Sequence, residues 1–418
     1  MKVLILSTWD REGGAARAAY STHKSLQQAG IDSRMLVANK SSEDSKVIGL
    51  QPLKYSDAIL RETRLFFNSI ELKLYKNKSA DIFSVPKFAD KVLPEIRKIN
   101  PDIINLHWIC KGFLTPEILA KFNKPIVWTL QDMWSFTGGC HYASDCLRYL
   151  DSCGSCPQLA SHQEQDISRK LWRRKQQSWQ NLNLTVVAVS HWLADCARRS
   201  SLFKERRIEV IPNVIDASTF KPRAKNVARE ILNLPLNHKI ILFGAIRATQ
   251  DKRKGFEYLV PAVQKIAQTE LGKNTEVVVF GAAKPQNAPD LGMKTTYLGT
   301  IKDDIMLSLV YAAADVMLVP STEDACPQTP IESLACGTPV VCFDASGLKD
   351  IVEHRQNGYR AQCFSSDDLA AGITWVLQDE ERWHLLSQRA QEKVEQEFTG
   401  EILAQAYLNL YQEILSSR

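Results

Sequence analysis

This sequence lacks the long apolar runs that mark membrane-spanning proteins. No stretch reaches the roughly 18 apolar residues of a spanning helix. No secretory signal is predicted either, because the segment MKVLILSTWDREGG has only a short apolar run and no small-residue cleavage site. We therefore expect the protein in the cytoplasm. Peripheral binding to the inner face of the membrane is the one kind of membrane contact that these observations allow.

Strong net charge, low-complexity tracts and short repeats are also missing. The 418 residues carry a net charge of +5, which is too small to predict a nucleic-acid partner but suits an anionic substrate or membrane surface. The length exceeds one ordinary hydrophobic core, so two domains of ~200 residues each are expected. In a reducing compartment, the ten cysteines indicate buried thiols or metal ligands more often than disulfides.

Short apolar runs alternate with helical patterns in both halves of the chain. In the first half, a helix is predicted for residues 16–30, and buried strands for 2–8, 102–108, 125–131 and 184–190. In the second half, strands are predicted for 295–300, 314–321 and 338–344, with helices between them. The alternation predicts α/β architecture with two doubly wound parallel sheets, whose ligands bind beyond the carboxyl ends of the strands.

One loop of the second half is strongly basic and leads through Gly255 into a predicted helix. Its basic residues are Arg247, Lys252, Arg253 and Lys254. Cations beside a helix N-terminus suit a diphosphate group. A plain solvated turn is the alternative.

A second loop, PSTEDACPQTPIESLACGTPVV (320–341), carries the acidic pair Glu323 and Asp324 ahead of a short helix. Such acids suit hydrogen bonds to sugar or ribose hydroxyls. Backbone amides suited to phosphate are those near Cys326, Gln328 and Thr329.

The start of that helix offers a structural alternative for Glu332. Thr329 would be the N-cap, Pro330 the first helical residue and Glu332 the third, which is the spacing of a capping box. In that arrangement the Glu332 carboxylate bonds back to the N-cap amide rather than to a ligand.

The segment DACPQTPIE (324–332) resembles the pair of acidic residues, separated by seven others, of retaining GT-B glycosyltransferases of family 4 (glycosyl transferases group 1). The segments YAAADVMLVPS, ACGTPVV, IPNVID and RKGF match that family in order and at its usual distances, so the resemblance covers nearly the whole chain. It is closest to the colanic-acid and exopolysaccharide branch, through TLQDMWSFTGGCHY and SCGSCPQL.

The resemblance implies a GT-B fold, in which two Rossmann-like domains face each other across a cleft. Residues 1–215 would form the acceptor-side domain with a cysteine-rich loop at 138–160, and residues 216–398 the nucleotide-sugar-binding domain. A C-terminal helix at 399–418 would return to the first domain. The implied enzyme is a hexosyltransferase that needs no metal cofactor for catalysis and retains the anomeric configuration. It would move a sugar from a UDP- or GDP-sugar to a saccharide or polyprenyl-linked acceptor.

The resemblance also implies roles in binding the donor. The residues that would neutralise the diphosphate are Lys254, Arg253 and Arg247. Glu332 would hold the ribose hydroxyls. Asp324 stands near the donor sugar where the family usually has Glu, one methylene longer, and neighbouring Glu323 could compensate. Further contacts to sugar or phosphate would come from Cys326, Pro327, Gln328 and Thr329.

Two candidates for the site follow strands of the first half. Gly13 and Gly14 follow the first strand, but without the GxGxxG pattern of a dinucleotide site. The resembled family places this glycine loop beside the donor phosphates or the acceptor; a plain tight turn is the alternative. His107 ends a later strand, as either a site residue or a structural histidine.

Gln131 is the main departure from the resembled branch, which mostly carries His there. Glutamine can hydrogen-bond a sugar hydroxyl but does not titrate near neutrality. If a charge is required at this position, His107 or His141 would have to supply it. Asp132 is a further candidate for the acceptor site.

The segment SRKLWRRKQQSWQ (168–180) has five basic residues, no acidic one, and the tryptophans Trp172 and Trp179. A basic, Trp-bearing helix can lie on an anionic membrane. The alternative is a solvated basic face with both tryptophans in the core.

Four cysteines lie close together with the spacing C-x5-C-x6-C-x2-C: Cys140, Cys146, Cys153 and Cys156. The SCGSCP pair resembles half of a zinc knuckle, whereas the first pair is wider than the usual C-x2-C. A structural zinc, buried thiols and disulfides all stay open here.

Two other function classes fit the same scaffold. One is a nucleotide-sugar epimerase, which would act without a sugar acceptor. The other is a non-catalytic protein that binds a nucleotide-sugar, suggested by the departures at Gln131 and Asp324.

Overall fold

The computed structural model describes residues 1–50, 63, 66–68, 70–244, 251–281, 283–284 and 288–417. The chain forms two compact units, Met1–Asn213 with Leu403–Arg418 and Val214–Ile402. No helix in the described ranges is long and apolar enough to cross a membrane.

The first unit alternates strands and helices. Its strands are β1 (Lys2–Trp9), β2 (Asp32–Asn39), β3 (Val47–Gly49), β4 (Ile103–Leu106), β5 (Ile126–Leu130), β6 (Leu184–Ala188) and β7 (Ile208–Val210). Its helices are α1 (Gly14–Gln28), α2 (Leu93–Ile99), α3 (Pro116–Leu119), α4 (Ile167–Trp179) and α5 (His191–Arg199).

The seven strands of this unit form one parallel sheet in the order β3-β2-β1-β4-β5-β6-β7. Six consecutive residues of β1 are buried, as expected where helices cover both faces of a parallel sheet. The strand order reverses between β1 and β4, and loops at such a switch point are where ligands bind.

The second unit has the same architecture. Its strands are β8 (Lys239–Gly244), β9 (Thr275–Phe280), β10 (Thr295–Gly299), β11 (Val316–Val319), β12 (Val340–Phe343) and β13 (Gly358–Ala361). Its helices are α6 (Lys225–Ile231), α7 (Phe256–Ala267), α8 (Glu270–Lys273), α9 (Asp304–Ala313), α10 (Gln328–Ala335), α11 (Leu348–Ile351), α12 (Ser366–Leu377) and α13 (Glu380–Glu397).

These six strands pair in parallel in the order β10-β9-β8-β11-β12-β13, with the switch point between β8 and β11. The predicted fold class, two doubly wound α/β sheets, is therefore confirmed. The loops after β8 and β11, which the sequence singles out, lie at the switch point of this sheet.

The last helix, α14 (Gly400–Ser416), belongs from Leu403 onward to the first unit. Two fully buried tyrosines attach it to that sheet. The Asn105 amide donates to the Tyr411 hydroxyl at 2.7 Å, and the hydroxyls of Thr129 and Tyr407 lie 2.7 Å apart. Buried polar groups paired in this way fix the register of the helix on strands β4 and β5.

Candidate functional site

A tight turn follows β8 and holds the cationic residues of the second unit. Asp251 caps the 3-10 turn Lys252–Lys254 by accepting a bond from the Arg253 amide at 3.1 Å. Gly255 has φ +68°, and a Cβ there would meet the Pro320 carbonyl oxygen at 1.8 Å. Only glycine allows this approach, which brings the turn against the end of β11.

Lys254 reaches across to the loop after β11. Its ammonium lies 2.5 Å from the Asp324 carboxylate. The backbone of Asp324 is fixed on both sides, since its amide donates to the Ser346 hydroxyl at 2.9 Å and its carbonyl accepts from Gly347 at 2.9 Å. The pair therefore places one cation and one carboxylate at the switch point.

Arg253 is held within the same loops. Its guanidinium pairs with Asp251 at 2.6 Å and donates to the Glu323 carbonyl at 3.3 Å. The predicted contact residue Arg247 lies outside the described residues. Of the three cations expected around a diphosphate, the structure thus shows Lys254 and Arg253 together.

Helix α10 begins earlier than the capping-box spacing predicts. It runs Gln328–Ala335 with Pro327 as N-cap and no side-chain cap hydrogen bond, so the prediction of Thr329 as the cap was wrong. Pro330 fits inside this first turn because the first amides of a helix have no intrahelical partner. The amides of Gln328 and Thr329 belong to that unpaired first turn, directly after the buried Cys326.

Glu332 lies beneath this helix start and is 3% exposed. The buried Tyr311 hydroxyl donates to its Oε2 at 2.7 Å. This bond fixes the carboxylate and satisfies one of its acceptor positions. Glu332 is thus a buried, oriented acceptor close in sequence to Asp324, rather than half of a capping box.

In the first unit, Gly13 is the N-cap of α1 with φ +88°, and Gly14 is the first helical residue. A Cβ on either glycine would meet no atom within 4 Å in the part of the chain that the structure describes. The backbone here therefore borders open space at the carboxyl end of β1, where a ligand can approach the first amides of the helix.

His107 follows β4 and is 2% exposed. Neither ring nitrogen has a hydrogen-bond partner among the described residues. Burial lowers the pKa of His107 to about 3, because an uncompensated charge is costly in the interior. As placed, His107 is a neutral histidine that does not titrate near neutrality.

Gln131 follows β5 and pairs with Asn213. Each side-chain amide donates to the other's oxygen, and both distances are 3.1 Å. This reciprocal pair engages both ends of the Gln131 amide within the first unit. A sugar hydroxyl would have to share or replace these bonds.

Asp132 is the centre of a buried hydrogen-bond network. It accepts from the Trp108 indole at 2.8 Å, from the Trp134 amide at 2.8 Å and from His141 Nδ1 at 2.6 Å. His141 Nε2 lies 2.8 Å from the Ser84 hydroxyl. The sequence analysis named Asp132 and His141 as candidates for the acceptor side. It gave no signal for Ser84, which lies 57 residues before His141.

The charge on Asp132 fixes the proton positions in this network. Burial by itself raises the pKa of Asp132, but the charge of His141 and the donated hydrogen bonds bring it below the ordinary value. A carboxylate only accepts, so His141 Nδ1 carries a proton, and in the neutral ring Nε2 accepts from Ser84. The series therefore fixes the orientation of the Ser84 hydroxyl.

The basic segment 168–180 does not form a membrane-facing helix with exposed tryptophans. In α4, Trp172 and Trp179 are 7% and 3% exposed and donate to the Ser201 hydroxyl and the Pro116 carbonyl. Lys175 is fully buried, with its ammonium on the carbonyls of Trp134 and Thr137. The structure therefore shows the alternative for the tryptophans, which pack into the core, while Lys170 and Arg173 of the same helix are exposed.

Comparisons with known proteins follow the same division of the chain. The model described as Glycosyltransferase Family 4 matches residues 12–219, and the model described as Glycosyl transferases group 1 matches residues 224–393. An uncharacterized glycosyltransferase of Methanocaldococcus jannaschii is 28% identical over 239 residues, which cover 54% of this chain and 59% of that protein. The chain thus spans less than two thirds of that relative.

Three further proteins match along the whole chain. A protein of Escherichia coli K12, whose name assigns it to colanic acid biosynthesis as a glycosyl transferase, is 22% identical over an alignment of 447 residues covering 99% of this chain and 100% of that protein. The structure of sucrose-phosphate synthase from Thermosynechococcus elongatus superimposes with a TM-score of 0.69 at 21% identity and complete coverage of both chains. An Anabaena protein solved with UDP-glucose gives 0.62 at 18% identity, again over 100% of both chains. The chain therefore belongs to glycosyltransferase family 4 and has the GT-B fold of two Rossmann-like domains.

Proposed function

We propose that this protein is a retaining hexosyltransferase of polysaccharide or glycoconjugate synthesis. It moves a sugar from a UDP- or GDP-sugar to a saccharide or polyprenyl-linked acceptor. The observation that carries the proposal is the Lys254–Asp324 pair, 2.5 Å apart, at the switch point of the second sheet. The solved Anabaena neighbour with UDP-glucose and the E. coli relative in colanic acid biosynthesis support the donor class and the pathway class.

The donor is proposed to displace an internal ion pair. Lys254 keeps 24% of its side chain exposed and Asp324 keeps 11%, so a diphosphate can take over the ammonium while Asp324 turns to a sugar hydroxyl. Arg253 adds a second cation. The buried Glu332 carboxylate, held by Tyr311, accepts from ribose hydroxyls.

The proposed chemistry needs no metal, since fixed cations stabilise the leaving group. The bond from the anomeric carbon to the diphosphate oxygen breaks, and negative charge develops on that oxygen. Lys254, Arg253 and the first-turn amides of α10 stabilise this charge. Because these groups are already in position, the stabilisation is electrostatic preorganisation, which is the largest contribution to rate enhancement in many enzymes. The acceptor oxygen bonds to the same face of the anomeric carbon, and its proton passes to the departing phosphate oxygen, so the configuration is retained.

On the acceptor side, the proposal rests on the series from Asp132 through His141 to Ser84. Its members orient an acceptor hydroxyl without leaving their hydrogen bonds. Gln131, with its amide already paired to Asn213, is proposed to orient the sugar rather than to carry charge. His107 is then a neutral positioning residue behind the site.

The decisive assay uses a panel of UDP-, GDP-, ADP- and TDP-sugars with and without polyprenyl-linked saccharides. Nucleotide release that depends on an acceptor, with the sugar found in the product, is the expected result. An epimerase would convert the donor without acceptor. Binding without any release would indicate a non-catalytic binding protein, and binding of no donor would refute all three functions.

For a lipid-linked acceptor, we propose peripheral membrane contact at the cytoplasmic face through an exposed apolar patch of the first unit. The patch consists of Phe66, Phe67, Leu74 and Phe88, which are 45–78% exposed. The rings of Phe66 and Phe88 lie 5.8 and 6.4 Å from that of Phe67. Exposed lysines of the same segment, Lys73, Lys76 and Lys78, complement anionic headgroups.

Cosedimentation with vesicles tests this surface. Wild-type protein should pellet with phosphatidylglycerol vesicles, less with phosphatidylcholine, and less at high salt. Phe67→Ser combined with Phe88→Ser should abolish pelleting, while Phe364→Ser, an equally exposed phenylalanine of the second unit, should not. Unchanged pelleting of the double variant would contradict the patch.

A further inference from the structure

The four cysteines of the loop 138–160 converge on one small cavity. Cys140, Cys146, Cys153 and Cys156 all line a space of about 20 Å³, close to the volume of a single water-sized sphere. None of the four is in a disulfide. Cys140 thus lines the same cavity as Cys153 and Cys156, which follow it by 13 and 16 positions, although their loop has little regular structure.

The backbone around the second pair has a geometry that suits metal ligation. Three successive residues have positive φ: Cys153 at 53°, Gly154 at 98° and Ser155 at 41°. This sharp reversal turns the two cysteines of C-x2-C toward the same side. Gly154 is required there, because a Cβ would meet the Glu164 carbonyl oxygen at 2.4 Å.

Backbone amides also point at the sulfurs. The Gly138 amide bonds to the Cys153 sulfur, and the amides of Gln158 and Leu159 bond to that of Cys156. Such donors stabilise a thiolate, the form that binds metals.

Lys175 supplies a buried positive charge next to this cluster. Its ammonium is fully buried and donates to the carbonyls of Trp134 and Thr137, just before the loop. A tetrathiolate with one divalent ion carries a net charge of about −2, which a neighbouring ammonium partly offsets.

We propose that the loop 138–160 binds one structural zinc ion through its four cysteines. In the described residues, no three Cys, His, Asp or Glu side chains already stand as a group that could hold a metal ion. Binding therefore includes a turn of the thiol side chains into the cavity, to the zinc–sulfur distance of about 2.3 Å. Four thiols release four protons to solvent, and the four thiolates take up Zn²⁺.

The zinc would act as a positioning element for the acceptor side. Cys140 is bridged to Phe83 and precedes His141, whose ring joins Asp132 to Ser84. The Ser84 amide donates to the Gly139 carbonyl at 2.9 Å. Fixing Cys140 therefore fixes both ends of the bond between His141 and Ser84.

The test measures metal content in the full chain, purified reduced and without a histidine tag. After dialysis against a mild chelator, elemental analysis should find one zinc per chain. Cys153→Ser and Cys156→Ser should each lose it and lower the melting temperature, whereas Cys363→Ser should keep it. Cys363 is half-buried and bonds to Asp344 in the other unit, so it is a matched control.

A second readout keeps the proposal testable if the serine variants misfold. Cobalt added to the metal-stripped wild-type chain should give the visible bands of a tetrahedral thiolate site, and zinc should remove them. Folded, reduced protein that holds no zinc, takes up no cobalt and exposes four alkylatable thiols would overturn the proposal, as would iron or a disulfide in place of zinc. Donor binding does not enter this test, so it stands or falls separately from the proposed transferase activity.

Discussion

The pair formed by Lys254 and Asp324 and the series from Asp132 to Ser84 are built in different ways. The first joins two short loops at neighbouring strand ends, through side chains that are 24% and 11% exposed. The second joins three separate stretches of irregular chain around an Asp132 carboxylate that already accepts three hydrogen bonds. Lys254 and Asp324 can each exchange the other for a ligand. The hydrogen-bonding positions around Asp132 are already occupied, so this network can only fix the orientation of its side chains.

This difference predicts where substitutions act. Changes at the exchangeable pair should alter donor binding and turnover while the fold persists. Changes at the saturated network should cost stability first. The variants below separate the two from the largest expected effect to the smallest.

Asp132→Asn should have the largest effect. An amide presents donors to neighbours that are themselves donors, so a buried network is broken, and the free energy of unfolding of the first domain should fall by about 3–5 kcal/mol. Denaturant unfolding followed by tryptophan fluorescence measures it. Asp145→Asn, an exposed change in the same loop, is the control. Equal stability of both variants would show that the network is not saturated.

Lys254→Ala should leave a folded enzyme with turnover lowered by about 10²–10³, the usual cost of removing one stabilising group of a developing anion. Lys252→Ala, an exposed lysine of the same turn, should change turnover by no more than about twofold. Initial rates of nucleotide release measure both. Equal loss in the two variants would mean that charge in general, and not the Lys254 position, is what matters.

His107→Leu should stabilise the first domain by about 1–3 kcal/mol, because it removes two buried nitrogens without partners. It should also change the pH dependence of unfolding. The native pKa of about 3 lies below the ordinary histidine pKa of 6.5. The unfolded state therefore binds the proton first, and wild-type stability falls as the pH drops from 6.5 toward 3. The variant should lose this component, with a slope of at most ~1.4 kcal/mol per pH unit. If the wild-type protein and the variant showed the same dependence of stability on pH, His107 would have a hydrogen-bond partner in solution.

Glu332→Gln should weaken donor binding about tenfold, since a hydrogen bond from ribose to a charged acceptor is exchanged for one to a neutral amide. Isothermal titration with the nucleoside diphosphate measures it, and the exposed Glu257→Gln is the control. Unchanged affinity would remove Glu332 from the donor site and leave only its bond to Tyr311.

Gln131→His should have the smallest effect, a change in turnover of about twofold or less, corresponding to roughly 0.5 kcal/mol. The paired Gln131 amide is proposed to orient the sugar and not to exchange a proton. A new imidazole at this position therefore adds no proton transfer that the reaction needs. A gain well above this, with a pH profile that follows an imidazole, would show that the charge-bearing role limits the natural enzyme.

Much of the arrangement at the proposed donor side was predictable from the topology of the sheet. The carboxyl ends of parallel strands lie at one edge of a sheet, so the loops after β8 and β11 had to lie close together. The charged residues of both loops could be identified from the sequence alone. The start of α10 was misplaced because the Thr-x-x-Glu spacing also fits a capping box, while Pro327 takes the N-cap and Glu332 instead accepts from Tyr311.

The acceptor side was less predictable because its contacts are long-range and irregular. Ser84 meets His141 across 57 residues and Gln131 meets Asn213 across 82, with no periodic pattern to announce either pairing. The basic residues of segment 168–180 are evident from the sequence. The sequence does not show which face of the helix packs against the rest of the domain. The burial of Trp172 and Trp179 decided that question.

The central claim, sugar transfer with retention from a nucleotide-diphospho-sugar, is tested most directly by product stereochemistry. The donor that supports acceptor-dependent nucleotide release is supplied with carbon-13 at the anomeric position, and the new linkage is observed by NMR during the first turnovers. The account predicts the donor's own anomeric configuration in the product, and formation of the same product about 10²–10³ times more slowly with Lys254→Ala. An inverted linkage, or release of nucleotide with the sugar found only in water, would contradict it.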